Sequence, residues 1–309
     1  MATPRRRLID LEQPLHCHLV SRSVRRSFLC GKDPYSKADY EHRKGWLEQR
    51  MFHLAQCFAV SIDAFAIMSN HFHLVVYYDP KDSYRWSKGK VADRWLSAFP
   101  PHAVAGAPEN GDEISRLHRA LLLAMAERFL HARRTLGSLS MFMKYLKQPI
   151  AYQANKEDHC TGHFFEGRFC AGALLDESAV IAAMAYVDLN PVRARIVNDI
   201  DAYQAVSGSH RKKIAVNHPE RLAAAIEPLV SGVTKDRPAL SMSLGDYLNI
   251  VDDGVRDCLG IKTKDKQSRG FERISMLKKR QRAFGSITGL SLWRSERDWA
   301  VPGRPMPAI

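Results

Sequence analysis

The chain has no run approaching 18 uninterrupted apolar residues, and the Arg5-Arg6-Arg7 start leads into no apolar stretch of signal-peptide length. Neither a membrane span nor a secretion signal is therefore expected, and the expected location is cytoplasmic. Cysteine is sparse: the six, at 17, 30, 57, 160, 170 and 258, form no Cys-x-x-Cys pair and no regular spacing. That argues against a structural zinc site or a disulfide framework. The G-x-x-x-x-G-K-[ST] phosphate loop is absent, and so is any internal repeat. Negative charge is the remaining shortage. Against 46 Lys+Arg stand only 33 Asp+Glu, a formal net charge of +13 over 309 residues. Such an excess favours a polyanionic partner, nucleic acid before anionic membrane, and says nothing about fold. Hydrophobic and charged fractions of 45% and 26% are ordinary for a globular chain long enough for one large domain or two modest ones.

Leu15 to Arg26 mixes β-branched and polar residues as a strand does, and Tyr35 to Ala59 places Trp46, Met51, Leu54 and Phe58 near helical spacing. Val60 to Met68 and His71 to Tyr78 read as strands on either side of the turn pair Ser69-Asn70. Residues 79–112 contain Pro100-Pro101 and AGAPENGD and read as a loop-rich insertion. A helix is expected over Glu113 to Leu136, and another over Ser138 to Glu157 with an interruption at Pro149. Gly162 to Ala173 reads as a glycine-containing strand. Asp176 to Asn190 has an acidic first turn, an Ala-rich body and Pro191 behind it, the marks of a short helix with a defined stop. This order predicts an α+β fold, an antiparallel sheet backed by helices in a ferredoxin-like core. The division expected is a 1–200 domain and a basic, mostly helical, DNA-binding extension over 201–309.

His71-Phe72-His73 opens an apolar strand, and side chains alternate along a strand, so both imidazoles share one face. They could ligate one metal ion, or simply be half-buried strand residues. His16-Cys17-His18 has the same spacing and shows how weak the tripeptide is alone. It could be a decoy, or a DNA-facing strand beside Arg22, Arg25 and Arg26. On the Ala-rich helix Tyr186 and Asn190 lie four apart and point the same way. The pair could be a nucleophile and an oxygen ligand, or a packed aromatic and a C-terminal cap.

SNHFHLVV, GHFFEGRF and AYVDLNPVRA, in that order and preceded by HCHLVSRSVRRSFLCG, resemble the signature segments of single-tyrosine HUH transposases of the REP-associated branch, over about residues 12–200. The resemblance implies an α+β domain that binds single-stranded or hairpin DNA and cleaves it through a 5′-phosphotyrosine link. It implies Tyr186 as nucleophile and His71, His73 and Asn190 as ligands of a divalent metal, Mg2+ or Mn2+. Phe72 and Phe165 depart mildly from the residues the family often has there. DNA contacts are expected from Arg22, Arg25, Arg26, Arg168, Arg193 and Arg195, whose forked donors suit phosphate. Trp86, Trp95 and the Lys278-Lys279-Arg280 run could add base stacking and charge neutralisation. Tyr145 and Tyr152 are rival nucleophiles, but their i+4 positions, Pro149 and Lys156, offer a cation no ligand; Tyr152 is the stronger rival, with Asn155 at i+3 able to face the same way. A homodimer is possible, and so is a domesticated relative that binds structured DNA or RNA without cutting it. A hydrolase using the two histidines with water is the third reading.

Overall fold

In the computed structural model, which describes residues 13–28, 30–33, 37–101, 111–234, 237–261 and 283–295, strand β1 (Leu15–Arg22) is followed by α1 (His42–Cys57). The apolar runs flanking Ser69-Asn70 form β2 (Val60–Ile67) and β3 (His71–Tyr78), paired antiparallel. Five helices come next: α2 (Asp82–Arg85), α3 (Lys88–Ala98), α4 (Gly111–Ala124), α5 (Ala126–Leu136) and α6 (Leu139–Glu157). Strand β4 (Cys170–Leu174), α7 (Glu177–Asp188) and the short α8 (Asn190–Arg193) follow. The remainder supplies α9 (Ser207–Asn217), β5 (Val230–Ser231), α10 (Leu244–Cys258), β6 (Ala283–Phe284) and α11 (Ile287–Ser295).

The fold is α+β, with one six-stranded sheet in the order β5-β2-β3-β1-β4-β6, antiparallel except for the β4–β6 pair. Its four inner strands stand in the ferredoxin-like order β2-β3-β1-β4. One face carries Phe65, Leu74 and Phe72 and is covered by α1, whose Phe52 meets Phe65 edge-on at 5.5 Å, with α6 packed beside α1. The other face is covered by α7. Both faces are therefore covered by helices, and β2 is buried along its whole length.

Several expectations need correction. Residues 79–112 are not loop-rich: helices run to Ala98, α3 capped by Ser87 accepting from the Lys90 amide at 3.2 Å, and residues 102–110 lie outside the described residues. The helix expected over Glu113 to Leu136 breaks at Met125, whose backbone is extended. Pro149 does not interrupt α6. It removes the amide that would bond the Tyr145 carbonyl, and Arg50 Nε replaces it at 3.3 Å. The strand expected over Gly162 to Ala173 pairs regularly only over Cys170–Leu174. Upstream, Gly162 and Gly167 take positive φ and turn the chain, leaving one bridge from Phe165 to Ser23.

Beyond residue 200 the chain is built into this sheet, supplying both edge strands, β5 against β2 and β6 against β4. Buried polar pairs hold it there. Asp63 sits at a bulge in β2 and pairs with Arg237, while Arg211 Nη2 donates to the Asp63 carbonyl at 2.6 Å. Arg5-Arg6-Arg7 and Lys278-Lys279-Arg280 lie outside the described residues. Among the described residues, no helix is long and apolar enough to cross a membrane.

Candidate active site

The register of β3 decides which residues meet. His73 stands opposite Val20 of β1 and Ala66 of β2, and His71 opposite Arg22, so both imidazoles project on the α7 side. Phe72, Leu74, Val76 and Tyr78 fill the opposite, buried face. On the histidine side β1 also contributes His16 and His18. His18 Nε2 lies 2.9 Å from His73 Nδ1, the two rings stacked with centroids 5.1 Å apart. The ring of His71 meets that of His73 edge-on at 4.9 Å. The His16-Cys17-His18 segment thus shares the face of the histidine pair, and His18 meets His73 there, a contact that reading segment by segment misses. Its only signal is the β1–β3 register, which no local pattern reveals.

Tyr186 reaches this group from α7. Asp176 caps that helix by accepting from the Ala179 amide at 2.8 Å, and the Ala-rich body lies flat on the sheet. The half-buried Tyr186 ring stands edge-on to both His18 and His73, with centroids 5.8 Å away in each case, and the Arg193 guanidinium lies 4.9 Å from its centre. Asn190 Nδ2 donates to the Tyr186 carbonyl at 3.0 Å, so the asparagine caps the helix end while its Oδ1 makes no hydrogen bond among the described residues. Both sequence readings of Asn190, cap and oxygen donor, are compatible with that arrangement.

His71 Nδ1 lies 2.6 Å from Asn70 Oδ1, an atom that can only accept, so Nδ1 carries the proton and Nε2 keeps its lone pair. Burial lowers all four imidazoles on this face. His18 and His71 fall to about 4, Arg22 adding to the effect at His71, and His73 falls well below the usual value, with His18, His71 and Arg22 reinforcing it. His16 falls to about 3, by burial and by Arg237. Each is neutral at pH 7, the form in which imidazole binds a metal.

These shifts make the fold sensitive to acid. A histidine whose folded pKa lies below its unfolded value near 6.5 costs stability as pH falls below 6.5. Asp63, raised by burial to about 6, and Asp188, also raised by burial, act the other way, since the folded chain then holds protons that the unfolded chain releases. Four lowered imidazoles oppose two raised carboxyls, so the balance favours unfolding as pH falls below 6.5. Urea unfolding of the metal-free protein at pH 7, 6 and 5 should show a steadily falling midpoint. A rising midpoint would mean that the carboxyl contribution dominates.

The other expected residues are dispersed. Arg22 is half-buried and close enough to lower both His71 and His73. Arg25, Arg168 and Arg195 are exposed, and the side chain of Arg26 lies outside the described residues. Tyr145 packs on Phe99 with ring centres 4.4 Å apart, and Tyr152 is 74% exposed on α6, a helix of the opposite face. Neither rival tyrosine has a ring contact with the histidines. Trp86 is not available for base stacking: it is buried, its Nε1 donates to Asp82 at 3.0 Å, and Arg94 covers its face at 4.0 Å. Trp95 packs on Phe99 and His131.

No family model matches the chain, and no curated protein matches it. The chain is similar to the solved structure of a REP-associated tyrosine transposase bound to a REP hairpin, at 12% identity over 78% of this chain and 99% of that one, with a TM-score of 0.39.

Proposed function

We propose that this chain is a metal-dependent DNA transposase or endonuclease, cleaving and rejoining single-stranded or hairpin DNA with Tyr186 as nucleophile. One observation carries the reading: Tyr186, from a helix, stands against the imidazole of His73, which shares a sheet face with His71. A helix tyrosine and a strand histidine pair thus meet from distant parts of the chain.

The residues present fit a divalent ion. Each Nδ1 of the pair is engaged, His71 with Asn70 and His73 with His18, and neither Nε2 has a hydrogen bond among the described residues. Among the described residues no three His, Cys, Asp or Glu side chains converge as a metal centre, so oxygen donors would come from Asn190, water or the scissile phosphate. Mg2+ or Mn2+ bound there would polarise the phosphate as a Lewis acid.

The phenol Oη of Tyr186 attacks phosphorus, forming a phosphotyrosine ester at the 5′ side as the bond to the 3′ oxygen breaks. The phenolic proton ends, in net terms, on the released 3′-hydroxyl. Attack by another 3′-hydroxyl reverses these steps, rejoins the strand and restores the phenol. Arg193, beside the Tyr186 ring, is placed to favour developing phenolate charge and to hold phosphate.

The test is incubation of the full chain with labelled hairpin DNA and Mn2+, then denaturing electrophoresis. A metal-dependent shifted band is expected. DNA binding with no such band across varied hairpins favours the non-cleaving binder, and free cleaved strands without a protein-linked one favour a water-using hydrolase.

His18 has a defined part in this scheme. A metal on His73 Nε2 requires the proton on His73 Nδ1, where His18 Nε2, 2.9 Å away, would accept it; such partners typically set metal affinity by 10- to 100-fold. His18→Ala should weaken Mn2+ binding, followed by the paramagnetic signal of free Mn2+, by about that factor, with His18→Gln intermediate. Unchanged affinity in both variants removes His18 from the site.

A further inference from the structure

A cavity of about 320 Å³ opens on the face of the sheet away from the histidines, between α6 and the loop from Gly162 to Phe169. Its volume lies at the small end of the range for ligand pockets. Met143 and the buried rings of Phe164, Phe165 and Phe169 make an apolar floor, and Lys144 and Arg168, both exposed, stand at the rim. No acidic side chain lines it. Lys147, a third lining cation, is committed to the wall itself: its Nζ donates to the Gly167 carbonyl at 3.0 Å and lies 4.9 Å from the centre of the Phe165 ring. An apolar floor under a cationic rim suits a flat, hydrophobic ring that carries an anion.

The cavity is also tied to the candidate active site. The Glu166 amide donates to the Arg22 carbonyl at 2.7 Å, and Arg22 is the β1 residue opposite His71. Phe165 meets Phe72, the residue between the two histidines, with ring centres 6.0 Å apart. Only the thickness of the sheet separates the cavity from the histidine pair.

We infer that this cavity binds one nucleotide of the single-stranded DNA, a few positions from the reacting phosphate, its base on the Met143–Phe165 floor and its phosphate held by Lys144 and Arg168. The assignment rests on the DNA reading given above. Apolar contact with the floor and contact with a phosphate are both indifferent to base identity, so the subsite should retain strands without reading their sequence.

The test is fluorescence anisotropy of a labelled 20-nucleotide single strand titrated with the full chain at several salt concentrations. Lys144→Glu and Arg168→Glu, both at exposed positions, should each weaken binding about tenfold. Each should also reduce the slope of log affinity against log salt by about 0.7, the signature of one lost phosphate contact on single-stranded DNA. Lys88→Glu on α3, an equal charge change at an exposed position elsewhere, should leave the slope unchanged. A 4-thiothymidine placed in the strand should crosslink to peptides covering 140–151 or 162–169. Wild-type binding with unaltered Lys144 and Arg168 variants and no such crosslink overturns the cavity assignment alone. Failure of the wild-type chain to bind the strand overturns the DNA reading, and the cavity assignment with it.

Discussion

Tyr186→Phe should abolish covalent protein–DNA adducts, by at least about 10³-fold, while changing affinity for the same hairpin less than about threefold. The substitution removes one oxygen and keeps the ring that packs against His18, His73 and Arg193. The fold and the DNA-contacting residues are therefore undisturbed. Only the nucleophile is lost, because phenylalanine has no atom that can form the phosphate ester. The same substitution at Tyr152, which is exposed on the opposite side of the sheet, should leave adduct formation unchanged. Electrophoresis with labelled hairpin DNA measures the first quantity and anisotropy the second. Wild-type levels of adduct in Tyr186→Phe would refute the assignment of the nucleophile.

The second large effect is on stability, at Asp188. This carboxylate is fully buried two residues beyond Tyr186 and accepts from the Ser207 hydroxyl, from the Gly208 amide at 2.8 Å and from the Tyr247 hydroxyl at 2.5 Å. It thus joins the end of α7 to the start of α9 and to α10. Gly208 is required by the closeness of this approach, since a Cβ there would lie 2.8 Å from Ile200 Cδ1 and 3.1 Å from Asp188 Cγ. Asp188→Ala leaves three donors unsatisfied in the interior, a change that costs on the order of 3–5 kcal/mol. Urea unfolding should show that loss, and adduct formation by the residual folded protein should fall too, because the helix end carrying Tyr186 is no longer held. A loss below about 1 kcal/mol would mean that the network does not bear on the fold. Asp188→Asn keeps the shape and separates the role of the charge from that of the packing.

The strand pattern at His71–Tyr78 was legible in full because alternation over eight residues, begun by a turn pair, has few other solutions. The acidic start and Pro191 bounded α7 in the same local way. The approach of His18 to His73 was not legible, since the two lie 55 positions apart and only pairing brings them together. The helices within residues 79–112 were hidden by the proline and glycine cluster that follows them. The integration of residues beyond 200 escaped for a similar reason. The two-residue strands β5 and β6 carry no periodicity, and what anchors the segment is buried polar contact through Asp63 and Asp188 rather than an apolar stripe. Composition reads such residues as surface charge, whereas Arg211 is among the largest fully buried side chains of the molecule.

Tyr186 as nucleophile is tested most directly by which atom becomes linked to DNA. Digesting the adduct formed with hairpin DNA and Mn2+, and sequencing the nucleotide-bearing peptide by mass spectrometry, identifies it. The expected result is a phosphodiester on Tyr186, within the peptide that also contains Asp188 and Asn190. A nucleotide on Tyr152, on Tyr145 or on any serine would contradict it.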